Sequence, residues 1–308
     1  MGIEQELARL VPQRETVLTI GVFDGVHAGH NYLVNRLKER ARKEGLLSGV
    51  VTFDPHPQWV LHRDQLPWLS TLEERVNRLG QREIDFVAVI SFTPEVAQLG
   101  ARQFVSLLRK YLKMRVLMIG PDFALGRGRE GNSRLLSALG KGLGFTVETI
   151  PPFTIDGEVV SSTLIRQALA QGDMAKVTKL MGHPFDLVGE VVPGEKRGHA
   201  LGFPTANLDI EPQQALPSDG VYATIAQVDG KRFASATNVG TRPTFGDGAR
   251  TVEVHLLDYQ GDLYGKQIKT EFVWKLRNEQ YFASSEQLKS QMKEDIVNVR
   301  TILAKELK

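Results

Sequence analysis

The chain has 308 residues, which at a usual size of roughly 100 to 200 residues per domain points to two domains. Apolar residues make up 42% and charged residues 24%, ordinary globular usage that excludes a natively disordered chain. Lys and Arg total 38 against 36 Asp and Glu, and the net charge of +2 makes no electrostatic case for a nucleic-acid-wrapping face or a polybasic membrane anchor. There is no cysteine, so disulfides, thiolate metal sites and thiol nucleophiles are excluded.

The opening segment MGIEQELARLVPQRE mixes charged and apolar residues and lacks the basic start and apolar core of a secretory signal. Gly2 is not followed by the Ser or Thr that myristoylation takes, since Glu6 stands there, and no apolar run approaches a membrane span. The expectation is a cytoplasmic protein without membrane or nucleic-acid partners; the sequence is silent on oligomeric state.

From Val17 to Ile150, short apolar runs (VLTIGVF, GVVTF, DFVAVI, RVLMIG, FTVETI) alternate with stretches of helical period, the pattern of a parallel sheet with helices on both faces. In STLEERVNRLG, Ser70 and Glu73 have the spacing of a capping box and Gly80 stands at the expected helix end. STLIRQALAQGDMAKVTKLMG predicts two short helices, the first closed by Gly172 and the second capped by Asp173. Beyond Pro184 the period changes to two: DLVGEVV, GVYATIAQVDGKRFASATNV with an Asp229-Gly230 turn, TVEVHLLD and QIKTEFVWKL predict antiparallel strands. Leu288, Met292, Ile296, Val299 and Leu303 then mark one amphipathic helix.

The strand VLTIGVF runs directly into DGVHAGH and a helix, which puts His27 and His30 at the carboxyl edge of a sheet. Open N–H groups and the positive end of a helix dipole suit phosphate oxygens there, Gly25 and Gly29 permit close approach, and two imidazoles can donate to one anion. A surface pair of helix-start histidines, or two ligands of a metal, has the same spacing.

GVFDGVHAGH resembles the HxGH signature of the nucleotidyltransferase superfamily in the form typical of bacterial FAD synthetases, and the segment from Ser161 is similar to the SSTxIR motif of the same family. The resemblance implies an ATP and phosphate site at Gly21, Phe23, Asp24, Gly25, His27, His30, Ser162, Thr163 and Arg166, with His27, His30 and Arg166 catalytic. By the same resemblance, VTFDPHP and GPDFALGRGREG place His56, Pro57, Asp122 and Phe123 at the flavin. Adenylyl transfer to FMN needs no general base, because a phosphomonoester is largely dianionic at neutral pH and catalysis reduces to in-line placement and charge neutralisation.

KRGHALGFPTANLDI is a glycine-punctuated loop entering a strand, and its Thr and Asn offer hard oxygen ligands for Mg²⁺. An ordinary turn has the same letters. GFPTAN, GVYA, NVGTRPTF, VEVHLLD and GDLYGK occur in the order seen in riboflavin kinases. That resemblance implies ATP binding at Gly198, Gly202, Thr205 and Asn207, Mg²⁺ held through Thr205 and Asn207, and riboflavin near Asn238, Thr241, Arg242 and Arg277. Strand alternation places Thr251, Glu253 and His255 on one face of TVEVHLLD, and a ribityl hydroxyl, unlike a phosphate, needs a base; Glu253 is the candidate.

The expected architecture is a doubly wound α/β nucleotidyltransferase domain over residues 1–184, then a small antiparallel β-barrel domain with a C-terminal helix over 185–308. The expected substrates are riboflavin, FMN and ATP. Rival readings are a nucleotidyltransferase for a different phosphate ester and a flavin carrier with spent sites; the kinase-like half opposes the first and the intact motifs oppose the second.

Overall fold

The computed structural model describes residues 2–61, 66–194, 202–241 and 250–306. Their packing falls into two compact units, residues 1–161 and 162–308.

The first unit carries helices α1 (Ile3–Ala8), α2 (Ala28–Glu44), α3 (Pro57–Leu61), α4 (Leu72–Gly80), α5 (Pro94–Ala97), α6 (Ala101–Tyr111) and α7 (Ser133–Leu143). Its sheet strands are β1 (Thr16–Ile20), β2 (Leu47–Asp54), β3 (Phe86–Ser91), β4 (Met114–Ile119) and, after the short hairpin β5 (Ala124–Leu125) with β6 (Gly131–Asn132), β7 (Thr146–Thr149). A second small hairpin joins β8 (Thr154–Ile155) to β9 (Glu158–Val159). The five-stranded sheet is parallel, ordered β3-β2-β1-β4-β7. Every residue of β1 is buried, as a central strand requires when helices cover both faces of a sheet. Alternate side chains feed two cores: Val17, Val50 and Val116 pack with Val34, Leu37 and Leu79, whereas Leu18, Val51 and Leu117 pack with Phe104, Val105 and Leu108. The order reverses between β1 and β4, and at such a switch point the strand ends open a crevice.

The capping box of α4 lies one residue beyond the expected Ser70–Glu73 pair. Thr71 and Glu74 form it, Thr71 Oγ1 accepting from the Glu74 N–H at 3.2 Å and Glu74 Oε2 accepting from the Thr71 N–H at 2.9 Å. Ser70 is otherwise engaged, because its hydroxyl accepts from the Gly25 N–H at 2.9 Å. Gly80 is the last residue of the helix, as expected.

The second unit begins with α8 (Ser162–Gln171) and α9 (Met174–Met181), separated by Gly172 with a left-handed φ of 74° and by Asp173, which accepts from the Lys176 N–H. Strands β10 (Phe185–Val192), β11 (Ala206–Asp209), β12 (Gly220–Val228), β13 (Lys231–Thr241), β14 (Arg250–Leu256) and β15 (Gln267–Arg277) close into an antiparallel barrel ordered β10-β11-β14-β13-β12-β15. Asp229 and Gly230, with φ of 50° and 73°, make the two-residue turn expected between β12 and β13. Inside the unit, buried Phe185, Tyr222 and Phe272 pack together, and Thr224 bonds the hydroxyls of Ser235 and Thr237. Helix α10 (Ser285–Leu303) lays Val299 and Leu303 on Ala223 and Ile225. The division in packing thus precedes α8, while the barrel starts at Phe185.

Candidate active sites

At the carboxyl end of β1 the chain turns through one 3-10 turn, Asp24–Val26, and enters α2 with His27 as its cap. Phe23 and Gly25 hold left-handed φ values of 56° and 76°, which reverse the backbone in four residues. The buried Asp24 carboxylate accepts from the Leu69 N–H at 2.9 Å and from the Ser70 N–H at 3.2 Å. Together with the Ser70–Gly25 bond, this ties the loop to the segment ahead of α4. The Asp24 carboxylate and the Gly25 N–H are thus both held by the segment ahead of α4 and shape the loop. Phe23, 2% exposed, is a core side chain. Gly21 continues the ladder, its N–H donating to the Val51 carbonyl at 3.0 Å.

His27 Nδ1 accepts from the His30 N–H at 3.3 Å, so an imidazole does the work usually done by Ser, Asp or Asn. The two rings stack at 3.6 Å with 14° between their planes, and the His30 ring lies 4.9 Å from that of Phe23. Gly29 suits this arrangement: a Cβ there would stand a tight 3.2 Å from the His27 ring and 3.3 Å from the Val160 carbonyl. With the His30 N–H taken, the first-turn N–H groups of Ala28 and Gly29 have no acceptor within the helix. Burial holds the pKa of His30 well below the ordinary 6.5, with His27 and Arg75 adding in the same direction. His30 is therefore a neutral imidazole at neutral pH, able to donate one hydrogen bond from a water-poor position.

Arg75 belongs to no motif and emerges only from the packing. It is 3% exposed on α4, and its Nη1 donates at 2.7 Å to the Val22 carbonyl, which also accepts from Thr52 Oγ1 at 3.0 Å. The signal for it in the sequence is a charge on the buried stripe of α4, four residues before the equally buried Leu79. His56 Nδ1 accepts from the Gln58 N–H at 3.2 Å where Pro57 opens α3. Asp122 is exposed, with its carbonyl accepting from Arg129, while Phe123 packs against the core beside β5. Ser162 and Thr163 form the first turn of α8, and Arg166 is half-buried one turn on.

The second site is assembled by register in the barrel. Glu253 on β14 lies opposite Asn207 on β11 and opposite Asn238 on β13, so three polar side chains form one row across three strands. Val252 and Val254 point to the other face and are buried, as the alternation predicts. Thr205 Oγ1 lies 3.5 Å from Glu253 Oε2. Three oxygen-bearing side chains, Thr205, Asn207 and Glu253, are thus gathered, a hard donor set that fits Mg²⁺. His255 holds the approach to Thr205: its Nδ1 lies 2.7 Å from the Pro204 carbonyl and its ring meets Phe203 edge-on. Gly202 has a φ of 87°, and Thr241 is exposed at the end of β13. Gly198 and Arg242 lie outside the described residues. The Arg277 guanidinium clasps Asp295 of α10.

Among the described residues no cluster of three His, Cys, Asp or Glu forms a metal site, and no helix is long and apolar enough to cross a membrane. An open parallel sheet with paired imidazoles at a helix N-terminus, followed by an antiparallel barrel with a Thr-Asn-Glu group, defines a nucleotidyltransferase-like unit joined to a small phosphotransferase-like barrel.

Comparison with known proteins makes the assignment particular. The FAD synthetase family model matches residues 11–164 and the riboflavin kinase model matches residues 181–303. A bifunctional riboflavin kinase/FMN adenylyltransferase of Escherichia coli K12 is 41% identical over 292 residues, covering 94% of this chain and 93% of that protein. The enzyme of the same description from Pseudomonas fluorescens is 38% identical over 307 residues, covering 99% and 98%. A solved structure from Streptococcus pneumoniae, described as a macrolide-efflux protein, matches with a TM-score of 0.86 at 29% identity over 94% of this chain and 95% of that one. The chain belongs to the bifunctional riboflavin kinase/FMN adenylyltransferase family, with an FAD synthetase domain followed by a riboflavin kinase domain.

Proposed function

We infer that the chain converts riboflavin to FMN at the Thr205–Asn207–Glu253 group and FMN to FAD at the His27–His30 loop, using ATP in both steps. The observation that carries this is the chemical contrast between the sites. One presents a helix N-terminus and a neutral buried imidazole, and the carboxylate of its loop, Asp24, is bonded to backbone. The other presents a carboxylate in the middle of a row of oxygen and amide groups.

In the first reaction the ribityl hydroxyl attacks the γ-phosphorus of ATP, its proton passes to Glu253, and the bond to the ADP oxygen breaks. Thr205 and Asn207 would hold Mg²⁺, which when bound neutralises phosphate charge. Gly202 and Gly198 give the phosphates access to backbone, and Asn238, Thr241 and Arg242 orient riboflavin. Arg277 acts through Asp295 by fixing the end of β15.

In the second reaction an FMN phosphate oxygen attacks the α-phosphorus of ATP and pyrophosphate leaves. His27 and His30 donate to phosphate oxygens as charge builds, and the N–H groups of Ala28 and Gly29 receive the same anion. Gly21 leaves room for backbone contact with the nucleotide. Ser162, Thr163 and Arg166 bind the departing pyrophosphate, and His56, Pro57, Asp122 and Phe123 contact the flavin; these roles rest on motif alone. Residues 1–184 carry adenylyl transfer and 185–308 phosphorylation, in the cytoplasm, where riboflavin and ATP meet.

The test is chromatography of flavins after incubating the purified chain with riboflavin, ATP and Mg²⁺, and in parallel with FMN in place of riboflavin. FMN followed by FAD is expected in the first and FAD in the second. Neither product would bring the flavin-carrier reading forward.

A further inference from the structure

Arg75 combines deep burial with a single-purpose contact. Its Nη1 and the Thr52 hydroxyl both donate to the Val22 carbonyl, the last such group before the left-handed turn at Phe23. Its Nε has no acceptor among the described residues. Burial works against its charge, and the carboxylates of Asp24 and Asp54 work in favour of it. Such a position suits arginine because a guanidinium stays charged where a buried ammonium gives up its proton.

We propose that Arg75 is a positioning residue for adenylyl transfer: from the inner side of the FDGVHAGH loop it holds the Val22 carbonyl and keeps a fixed positive charge near His30, so that the loop and its imidazoles meet the phosphates in one shape. The proposal rests on the adenylyl-transfer function inferred above. Its geometric basis is the chain of bonds Thr52 and Arg75 to Val22, Leu69 and Ser70 to Asp24, and Ser70 to Gly25, which locks both ends of the turn. The groups that act on the His30 charge are His27 on its own helix and Arg75 on α4. Removing Arg75 therefore makes His30 easier to protonate, and the acid limb of adenylylation moves to higher pH.

The experiment compares wild-type chain, Arg75→Met and Arg75→Lys. Arg75→Met is expected to lose about 100-fold in kcat/KM for FMN adenylylation, the cost of misplacing reacting groups by an ångström, while riboflavin phosphorylation stays within about twofold. Arg75→Lys, which keeps an N–H donor for the Val22 carbonyl but gives up the fixed charge, recovers about tenfold of the loss. NMR titration of the His30 imidazole supplies a readout independent of turnover, with a higher pKa expected in Arg75→Met than in wild type. A wild-type chain that forms no FAD defeats the functional inference. An Arg75→Met chain that adenylylates as wild type does, or one whose His30 titrates unchanged, overturns the role given to Arg75.

Discussion

Arg277 at the end of β15 and Asp295 in the middle of α10 meet in a two-point ion pair, with Nη2 2.8 Å from Oδ2 and Nε 3.1 Å from both carboxylate oxygens. Their side chains are only 15% and 6% exposed, so each charge depends on the other. Asp295→Ala leaves an uncompensated buried guanidinium and is expected to destabilise the barrel by about 3–5 kcal/mol. Urea denaturation measures this, and heating should abolish riboflavin phosphorylation before FMN adenylylation. Replacing both residues by apolar ones of similar volume should return most of the stability.

Glu253→Gln and His30→Ala should separate the two activities. The first keeps shape but accepts no proton, so FMN formation falls by about 100-fold or more while added FMN is still converted to FAD. The second removes a buried donor at the phosphate site, so FMN accumulates and FAD formation falls by a similar factor of about 100. Flavin chromatography reads both; loss of both activities in either folded variant contradicts the assignment of one reaction to each site.

Two adjacent hydroxyls carry different duties. Thr71→Ala removes a helix cap and should cost about 1 kcal/mol with little change in the adenylylation KM of the folded protein. Ser70→Ala leaves the buried Gly25 N–H without its acceptor, so it should raise that KM and also cost about 1–3 kcal/mol. Steady-state kinetics with denaturation curves for the pair would show whether the two effects separate in this way.

The neutral His30 makes the stability of the first unit depend on pH. Its folded pKa is below the 6.5 of an unconstrained histidine, so between those values the unfolded chain binds the extra proton. The stabilisation is complete above 6.5 and declines as the pH falls through the interval toward the folded pKa. Denaturation midpoints followed from neutral to mildly acid pH should fall less steeply in His30→Gln than in wild type.

Much of the architecture is legible in the order of residues alone. Apolar runs of strand length in alternation with helical periods specify the parallel sheet, and the change to period two beyond Pro184 specifies the barrel strands. The Asp229-Gly230 turn and the caps at Gly172 and Asp173 fall at their expected places because a turn or cap is decided by two or three neighbouring residues. The capping box of α4 falls one residue later than expected because Ser70 and Thr71 are equal candidates locally; only a partner 45 residues away, Gly25, takes Ser70 out of that role.

Residue order alone establishes which chemistry is on offer: two imidazoles opening a helix after a strand, and a Thr, an Asn and a Glu on or beside barrel strands. Packing between distant elements decides which partners these groups meet. Asp24 and Gly25 turn inward because Leu69 and Ser70 meet them, Arg75 joins the loop because α4 packs beneath it, Arg277 is drawn to Asp295, and Glu253 is flanked by Asn207 and Asn238 through strand register. Periodicity reports the face on which a side chain stands, whereas a hydrogen-bond partner across the fold is set by how distant elements pack, and burial then makes each such bond obligatory.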